Sequence, residues 1–417
     1  MKHILIVAGE ASGDLHASNL VKAMRNAECG MPNAELKFSG LGGEQMQSAG
    51  VELLTPTSTS SAESFTKHAG TGLDPLLKIT HFSQVFRKLV SYASKTKPDL
   101  AILVDFPDFN LRLAPRLKAL GIKVVYYISP QIWAWRQSRV KIIQKYVDKM
   151  IVIFGFEQEF YNRFNVAAEF VGHPLLDALD SRLRGNDMRN DARRALGLGK
   201  DDLVIGLLPG SRPSEFKRHF PIMQKAIHIL HHPARTGGTS AGTEGAKIKY
   251  ILGAAPDITP EIVDKFDEDK PRCLPNDTGR QRPLRSLIQP FYNQTYEVIA
   301  ASDILITVSG TITVEAALFQ TTMIVIYKVP LLTELVFRPL IKTPFYAMVN
   351  IIAGKKVVPE LIQQNCTPAK IAQAVTELMN ADARSRMQEE LTKVKAKLGS
   401  AGASKRAAEI IKKMLNN

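Results

Sequence analysis

Short apolar runs that stop at a glycine- or proline-bearing turn and pass into a helical pattern recur along this chain. That alternation restricts the fold more than any other feature. "HILIVAGEASGDLHASNLVKAM" opens the series: His3 to Ala8 is apolar and β-branched, and Leu20, Val21 and Met24 then return at helical spacing. "LKFSGLGGEQMQSAG" repeats it with Gly40, Gly42 and Gly43 in the turn, and "KPDLAILVDFPDFNLRLAPRLKALG", "IKVVYYISP" and "KMIVIFGFE" continue it. Continuous apolar strands alternating with helices predict a parallel, doubly wound α/β sheet covered on both faces. After a polar, glycine-punctuated stretch from Ser181 to Asp202, read as a linker or a linker with an inserted segment, the pattern starts afresh. It runs through "DLVIGLLPGSRPSEFKRHF", "KIKYILGAA", "SDILITVSGTITVEAALF" and "TMIVIYKV". Two successive α/β units follow, which agrees with 417 residues being too many for one ordinary core. The expected divisions are 1–172, 173–342 with insertions near 181–194 and 231–247, and a helical segment 343–417. The apolar start reads as a first strand, not a signal peptide, and no apolar run approaches the length of a membrane-spanning helix.

The formal net charge is +14. Such an excess attracts nucleic acid, acidic membrane surfaces or phosphorylated substrates. No zinc-finger spacing and no RNA-recognition aromatic signature is present, so nucleic acid ranks low. Cys29, Cys273 and Cys366 are odd in number and far apart, which fits a reducing cytoplasm better than a disulfide framework.

The polar chemistry gathers where strands end. In "LVDFPDFN" the acid Asp105 follows a buried-looking strand directly, with Asp108 three residues on; ordinary turn chemistry and a catalytic base both account for it. "AGEASGD", with Gly9, Ser12 and Asp14 and with His16 beyond it, is a strand-to-helix turn that either binds a ligand or is a plain tight turn; it is not GxGxxG. "LPGSR" offers Gly210 for close approach, Ser211 for a hydroxyl and Arg212 for a phosphate. "SGTITVEAAL" offers Ser309, Gly310 and Thr311 at a helix start near Thr313, with Glu315 one turn in, either on a ribose or complementing the helix dipole. Two such turns in one half favour a nucleotide there. "SPQIWAWR" places Trp133, Trp135 and Arg136 together, as a sugar-stacking wall or a packed corner. Phe65 to Val90, with Leu73, Leu76, Ile79, Phe82 and Phe86 among cations, is either an amphipathic core helix or a membrane-contacting one. The literal DxD at Asp267 to Asp269 sits in a solvated charge run and makes a poor metal site.

Taken in order, "AGEASGD", "DFPDFN", "SPQIWAWR", "VGHPLLD", "LLPGSR" and "SGTITVEAAL" resemble the lipid-A-disaccharide synthase family. The resemblance implies a GT-B glycosyltransferase fold: two Rossmann-like domains facing a cleft, with C-terminal helices crossing back to the first. It implies an inverting transfer of 2,3-diacylglucosamine from UDP-2,3-diacylglucosamine to 2,3-diacylglucosamine 1-phosphate (lipid X), giving a β-1,6-linked disaccharide 1-phosphate and UDP. Asp105 matches the family's essential acid, with Asp108 as its rival, and Arg212 a position implicated in catalysis. Gly210, Ser211, Ser309, Gly310, Thr311, Glu315, Asn350 and Gln363 would serve the nucleotide sugar. Gly9, Ser12, Asp14, His16, Trp133 and Arg136 would lie on the acceptor side. No metal or other cofactor, a homodimer with exchanged C-terminal parts, and a peripheral place on an anionic membrane, the cytoplasmic face of a Gram-negative inner membrane, are implied as well. The chain departs from the family's "MGxxEVL"-like stretch, reading "AGTGLDPLL" there. A UDP-sugar 2-epimerase on the same fold and a non-catalytic nucleotide- or phospholipid-binding protein are the alternatives.

Overall fold

The computed structural model describes residues 1–9, 11–26, 36–54, 75–183, 188–231, 247–266, 287–330, 333–335 and 338–416, with the side chains of 75–81, 180–183 and 339 outside the description. Leu73, Asp267 to Asp269 and most of the segment expected as an insertion at 231–247 therefore lie outside the described residues. The chain divides into two compact units, residues 1–178 with 340–342 and 398–417, and residues 179–339 with 343–397. The segment expected as 343–417 is thus shared between the two.

In the first unit, strands β1 (Lys2–Ala8), β2 (Leu36–Leu41), β3 (Glu52–Leu53), β4 (Leu100–Val104), β5 (Lys123–Tyr127), β6 (Lys149–Val152) and β7 (Ala168–Phe170) alternate with helices. These are α1 (Ala11–Arg25), α2 (Glu44–Ser48), α3 (Pro75–Thr96), α4 (Pro107–Ala119), α5 (Val140–Tyr146), α6 (Gly155–Asn162) and α7 (Leu175–Leu183). The strands form one sheet in the order β3-β2-β1-β4-β5-β6-β7, and every pairing is parallel. Every residue of β4 is buried, and Ile6 and Ile102 are register partners across β1 and β4. Burying each of its large apolar side chains contributes about 1.5–3 kcal/mol. Helix α1 seals one face with Ala17, Leu20, Val21 and Met24, an i, i+3, i+4, i+7 stripe.

The second unit repeats the plan. Helices α8 (Met188–Ala195), α9 (Pro213–His231), α10 (Pro260–Asp264), α11 (Thr295–Ala301), α12 (Ile312–Leu318), α13 (Met348–Ala353), α14 (Pro368–Met379) and α15 (Ala381–Lys397) accompany six strands. These are β8 (Leu203–Leu208), β9 (Ile248–Ala254), β10 (Ile288–Tyr292), β11 (Ile304–Val308), β12 (Thr322–Tyr327) and β13 (Glu360–Ile362), parallel in the order β10-β9-β8-β11-β12-β13. The stretch expected as a linker at 181–202 is helical instead at α8, which docks on α11. Its Arg193 is 3% exposed and donates to the Asp303 carboxylate at 2.6 Å and the Ala301 carbonyl at 3.1 Å. A polar composition misled because this charge is buried with its partner.

The last helix, α16 (Ala403–Asn416), packs on α1 in the first unit. "VGHPLLD" holds it there. The Asp177 carboxylate accepts from the backbone N–H groups of Gly402, Ala403 and Ser404, the start of α16. His173 N–H donates to the Leu398 carbonyl at 2.9 Å, and Arg406 donates back to the Val171 carbonyl at 2.8 Å. Asp177→Ala strips the α16 N-terminus of its acceptor. It is expected to cost about 1–2 kcal/mol, read as a lower urea midpoint and faster proteolysis after Lys397; an unchanged midpoint would contradict the role given to Asp177.

Candidate functional site

In an open parallel sheet the place left for a ligand is the carboxyl edge, where the strand order reverses. That point lies between β1 and β4 in the first unit, and Asp105 follows β4 there. Asp105 and Phe106 are both left-handed, with φ of 45° and 49°. Two consecutive residues with side chains in that region cost strain, about 1–3 kcal/mol each, that something must hold. The clamp is on the Asp105 carbonyl: the Tyr126 hydroxyl donates to it at 2.6 Å and the Asn110 amide at 2.8 Å. Burial raises the Tyr126 pKa well above its ordinary value, so the hydroxyl stays a donor. The Asp105 N–H continues the ladder to the Tyr127 carbonyl at 3.1 Å. Phe106 stacks on Phe109, ring centroids 5.2 Å apart, and a Cβ on Gly9 would fall 2.2 Å from the Phe106 ring. Gly9 is therefore the residue that lets β1 pass beside the turn. Asp108 is occupied differently: its Oδ1 lies 2.5 Å from Arg139 and 3.7 Å from Arg136.

Two of the residues expected beside an acceptor, Asp14 and Trp133, have structural work. The buried Asp14 carboxylate accepts from the N–H groups of Gly43, Gln45 and Met46 at 2.7, 3.0 and 3.1 Å, so it caps α2. Trp133 is buried and donates from Nε1 to Glu157 at 3.1 Å, which makes it a packed corner and not an open stacking face. Burial pushes the Glu157 carboxyl up to about 8. Ser12 is exposed in the first turn of α1. Burial pushes His16 down to about 4 and His173 to about 3, so both are neutral; the His16 Nδ1 is buried with no hydrogen-bond partner. Arg136 is half exposed, left-handed at φ 52°, with its guanidinium 4.3 Å over the Trp135 ring.

Of the stripe expected to meet a membrane on α3, Phe82 and Phe86 are half-buried and pack edge-on against the buried Phe109, at 5.0 and 5.6 Å, which gives them a part in packing. Leu76 and Ile79 lie on α3, their side chains outside the described residues.

The second unit holds a pocket of about 460 Å³ at its own reversal point, the carboxyl ends of β8 and β11. It is lined by Gly210, Ser211, Arg212, Ser309, Gly310, Thr311 and Glu315, seven residues that sequence reasoning had assigned to a nucleotide sugar. Gly210 has φ of +123°, and a Cβ there would lie 2.6 Å from the Glu215 Cβ, so only glycine fits. Pro213 starts the 19-residue α9, and the Arg212 carbonyl accepts its first bonds, from Glu215 and Phe216 N–H at 3.0 Å each. The pocket thus meets the positive end of a long helix and an exposed guanidinium, the combination that binds phosphate. Glu315 faces the same space, and burial pushes its carboxyl up to about 7. The Ser309 hydroxyl does not cap α12: it donates to the Tyr346 carbonyl at 2.7 Å, and α12 has no side-chain cap.

Asn350 and Gln363 do not line this pocket. Asn350 is fully buried, donates to Val358 and Glu360 and accepts from the N–H groups of Val357 and Val358, which uses all four of its hydrogen-bonding positions. Gln363 is left-handed and accepts from Val329 N–H at 2.8 Å, while its Nε2 is buried without a partner. Sequence reasoning missed Glu215, Gly253, Ala255, Thr295 and Tyr296 in the lining. Gly253, at the apolar end of "KIKYILGAA", was the one visible signal among them. Among the described residues no group of three or more His, Cys, Asp or Glu is placed to hold a metal ion.

A family model described as lipid-A-disaccharide synthetase matches residues 4–236 and 278–414. Lipid-A-disaccharide synthase of Myxococcus xanthus is 38% identical over 414 residues, covering 99% of this chain and 97% of the relative. That of Syntrophus aciditrophicus is 39% identical over 411 residues, covering 98% and 96%. Among solved structures, a glycosyltransferase from Rickettsia africae superposes with a TM-score of 0.56 at 13% identity, over 100% of this chain and 99% of its own. A UDP-GlcNAc 2-epimerase from Neisseria meningitidis bound to UDP-GlcNAc gives 0.57 at 12%, over 100% of both. At such identities these two structures share a fold with the chain and nothing finer.

Proposed function

The chain belongs to the lipid-A-disaccharide synthetase family of GT-B glycosyltransferases, and from that premise we propose how its two units divide the work of making the lipid A disaccharide. The second-unit pocket takes the UDP of the donor, UDP-2,3-diacylglucosamine. Asp105 in the first unit takes the proton of the acceptor, lipid X. The acceptor 6-hydroxyl oxygen forms a bond to the anomeric carbon as its proton passes to the Asp105 carboxylate. The bond from that carbon to the β-phosphate oxygen breaks, its electron pair leaves with UDP, and the configuration inverts.

The observation that carries this reading is the pocket at the β8 and β11 ends, with Arg212, the α9 N-terminus and Glu315 around one space. Arg212 and the helix dipole neutralise the charge that builds on the leaving diphosphate, so the reaction is proposed to need no metal. Glu315 receives the ribose hydroxyls. Asp105 is favoured over Asp108 as base because the strained turn at Asp105, clamped through its carbonyl at the β4 end, points to function.

Both substrates carry acyl chains, so we place the reaction at an anionic membrane surface, the cytoplasmic face of a Gram-negative inner membrane. The net charge of +14 supports it, and among the described residues no helix is long and apolar enough to cross a membrane. A homodimer belongs to the same proposal: exchange of α16 between copies would reproduce its contacts with α1.

Turnover of the two substrates in mixed micelles, with chelator present, tests the reaction. Disaccharide and UDP should appear, and Asp105→Asn should lower kcat by about 10²- to 10⁴-fold with UDP affinity unchanged; activity that survives in this variant removes Asp105 as base. UDP affinity should be about tenfold weaker at pH 6 than at pH 8 if the ionised Glu315 is the binding form, since raising the pH through about 7 supplies the carboxylate. Glu315→Gln should flatten that profile in calorimetry, and an unflattened profile would exclude Glu315. The protein should sediment with anionic vesicles, be released by salt, and ignore zwitterionic ones; equal binding to both would count against the charge-driven contact.

A further inference from the structure

His219 lies one and a half turns into α9, fully buried and outside the pocket lining. Its two ring nitrogens face different parts of the unit. Nε2 lies 3.1 Å from the Lys328 backbone nitrogen, and Nδ1 lies 3.2 Å from the Pro209 carbonyl oxygen. The Lys328 N–H can only donate, so Nε2 is the acceptor and Nδ1 carries the hydrogen that goes to Pro209. Burial lowers the His219 pKa, which keeps the ring neutral and this tautomer in place. The ring also stacks on Tyr327, centroids 5.5 Å apart. Pro209 is the residue between Leu208 and Gly210, both of which line the pocket. Lys328 directly follows β12, and its neighbour Val329 is tied to Gln363.

We propose that His219 is a positioning residue for nucleotide binding: by holding the Pro209 carbonyl against the end of β12 it fixes the Gly210–Ser211–Arg212 turn in its phosphate-binding shape. The chemistry suits imidazole, a rigid plane with a donor and an acceptor on separate edges. Gly210 makes the turn easy to bend, since glycine at φ +123° resists other conformations poorly. A tether on the preceding carbonyl removes that freedom before the diphosphate arrives, so binding need not order the turn. The inference rests on the pocket being the UDP site.

Three variants separate the two bonds. His219→Asn keeps an amide N–H near the Nδ1 position and so the Pro209 bond; His219→Gln reaches the Nε2 position and keeps the Lys328 bond; His219→Phe keeps the stacking ring and neither bond. UDP dissociation constants by calorimetry, with kcat and both KM values, are measured on each variant shown to be folded by circular dichroism. The Phe and Gln variants should bind UDP roughly tenfold more weakly, the size of one lost buried hydrogen bond, and raise the donor KM alike. The acceptor KM should stay unchanged, and Asn should restore most of the affinity. A structural role alone would lower the melting temperature and leave UDP affinity intact. A folded Phe variant with wild-type affinity overturns the proposal, as do equal losses in Asn and Gln should Phe fail to fold. Wild-type protein that binds no UDP overturns both this inference and the UDP site beneath it.

Discussion

A parallel sheet buried on both faces confines polar chemistry to its rim. Leu100 to Val104 and Leu203 to Leu208 run through their units without an exposed residue, and their backbone groups are consumed by neighbouring strands. Polar side chains there would be desolvated without partners. At the carboxyl ends the constraint lifts, because helices turn away and leave N–H groups and short turns facing outward. The two places proposed for function, the Asp105 turn and the pocket around Gly210 and Gly310, are these ends at the two points where strand order reverses. The site follows from the sheets before any side chain is chosen.

The two rims are held by different means. At Asp105 the main chain is strained, and the strain is fixed by two donors on one carbonyl and by a phenyl ring seated over Gly9. At Gly210 the chain is permissive, and a buried imidazole supplies the restraint. A general base must sit within hydrogen-bond reach of one proton, whereas a diphosphate is gripped by several donors at once. The first favours a turn whose own strain sets one shape, the second a glycine turn that lets the backbone approach its ligand closely and takes its restraint from a neighbour.

How much of this the sequence disclosed depends on how local each cause is. Strand runs, their glycine turns and seven of the pocket residues were legible because glycine, proline and hydrophobic period act within a few positions. Asp14, Trp133 and Asn350 looked functional for the reason that makes them structural: polar groups amid apolar sequence, whose partners at Gly43, Glu157 and Val358 no spacing reveals. The helix α8 was hidden in the same way, since the burial of Arg193 depends on Asp303, more than a hundred residues away. Phe82 and Phe86 show the ambiguity of an amphipathic stripe, which reads alike whether its apolar side meets lipid or core. "VGHPLLD" helped to carry the family resemblance, yet its described contacts fasten the last helix to the first unit.

The central claim is that one unit holds the nucleotide at the β8 and β11 ends while the other presents the base. A crystal structure of the chain with UDP tests it most directly. The account predicts the diphosphate at the Gly210–Arg212 and Ser309–Thr311 turns, with the ribose hydroxyls on Glu315. UDP seated instead at the β1 and β4 ends beside Asp105 would contradict it and reverse the roles of the two units.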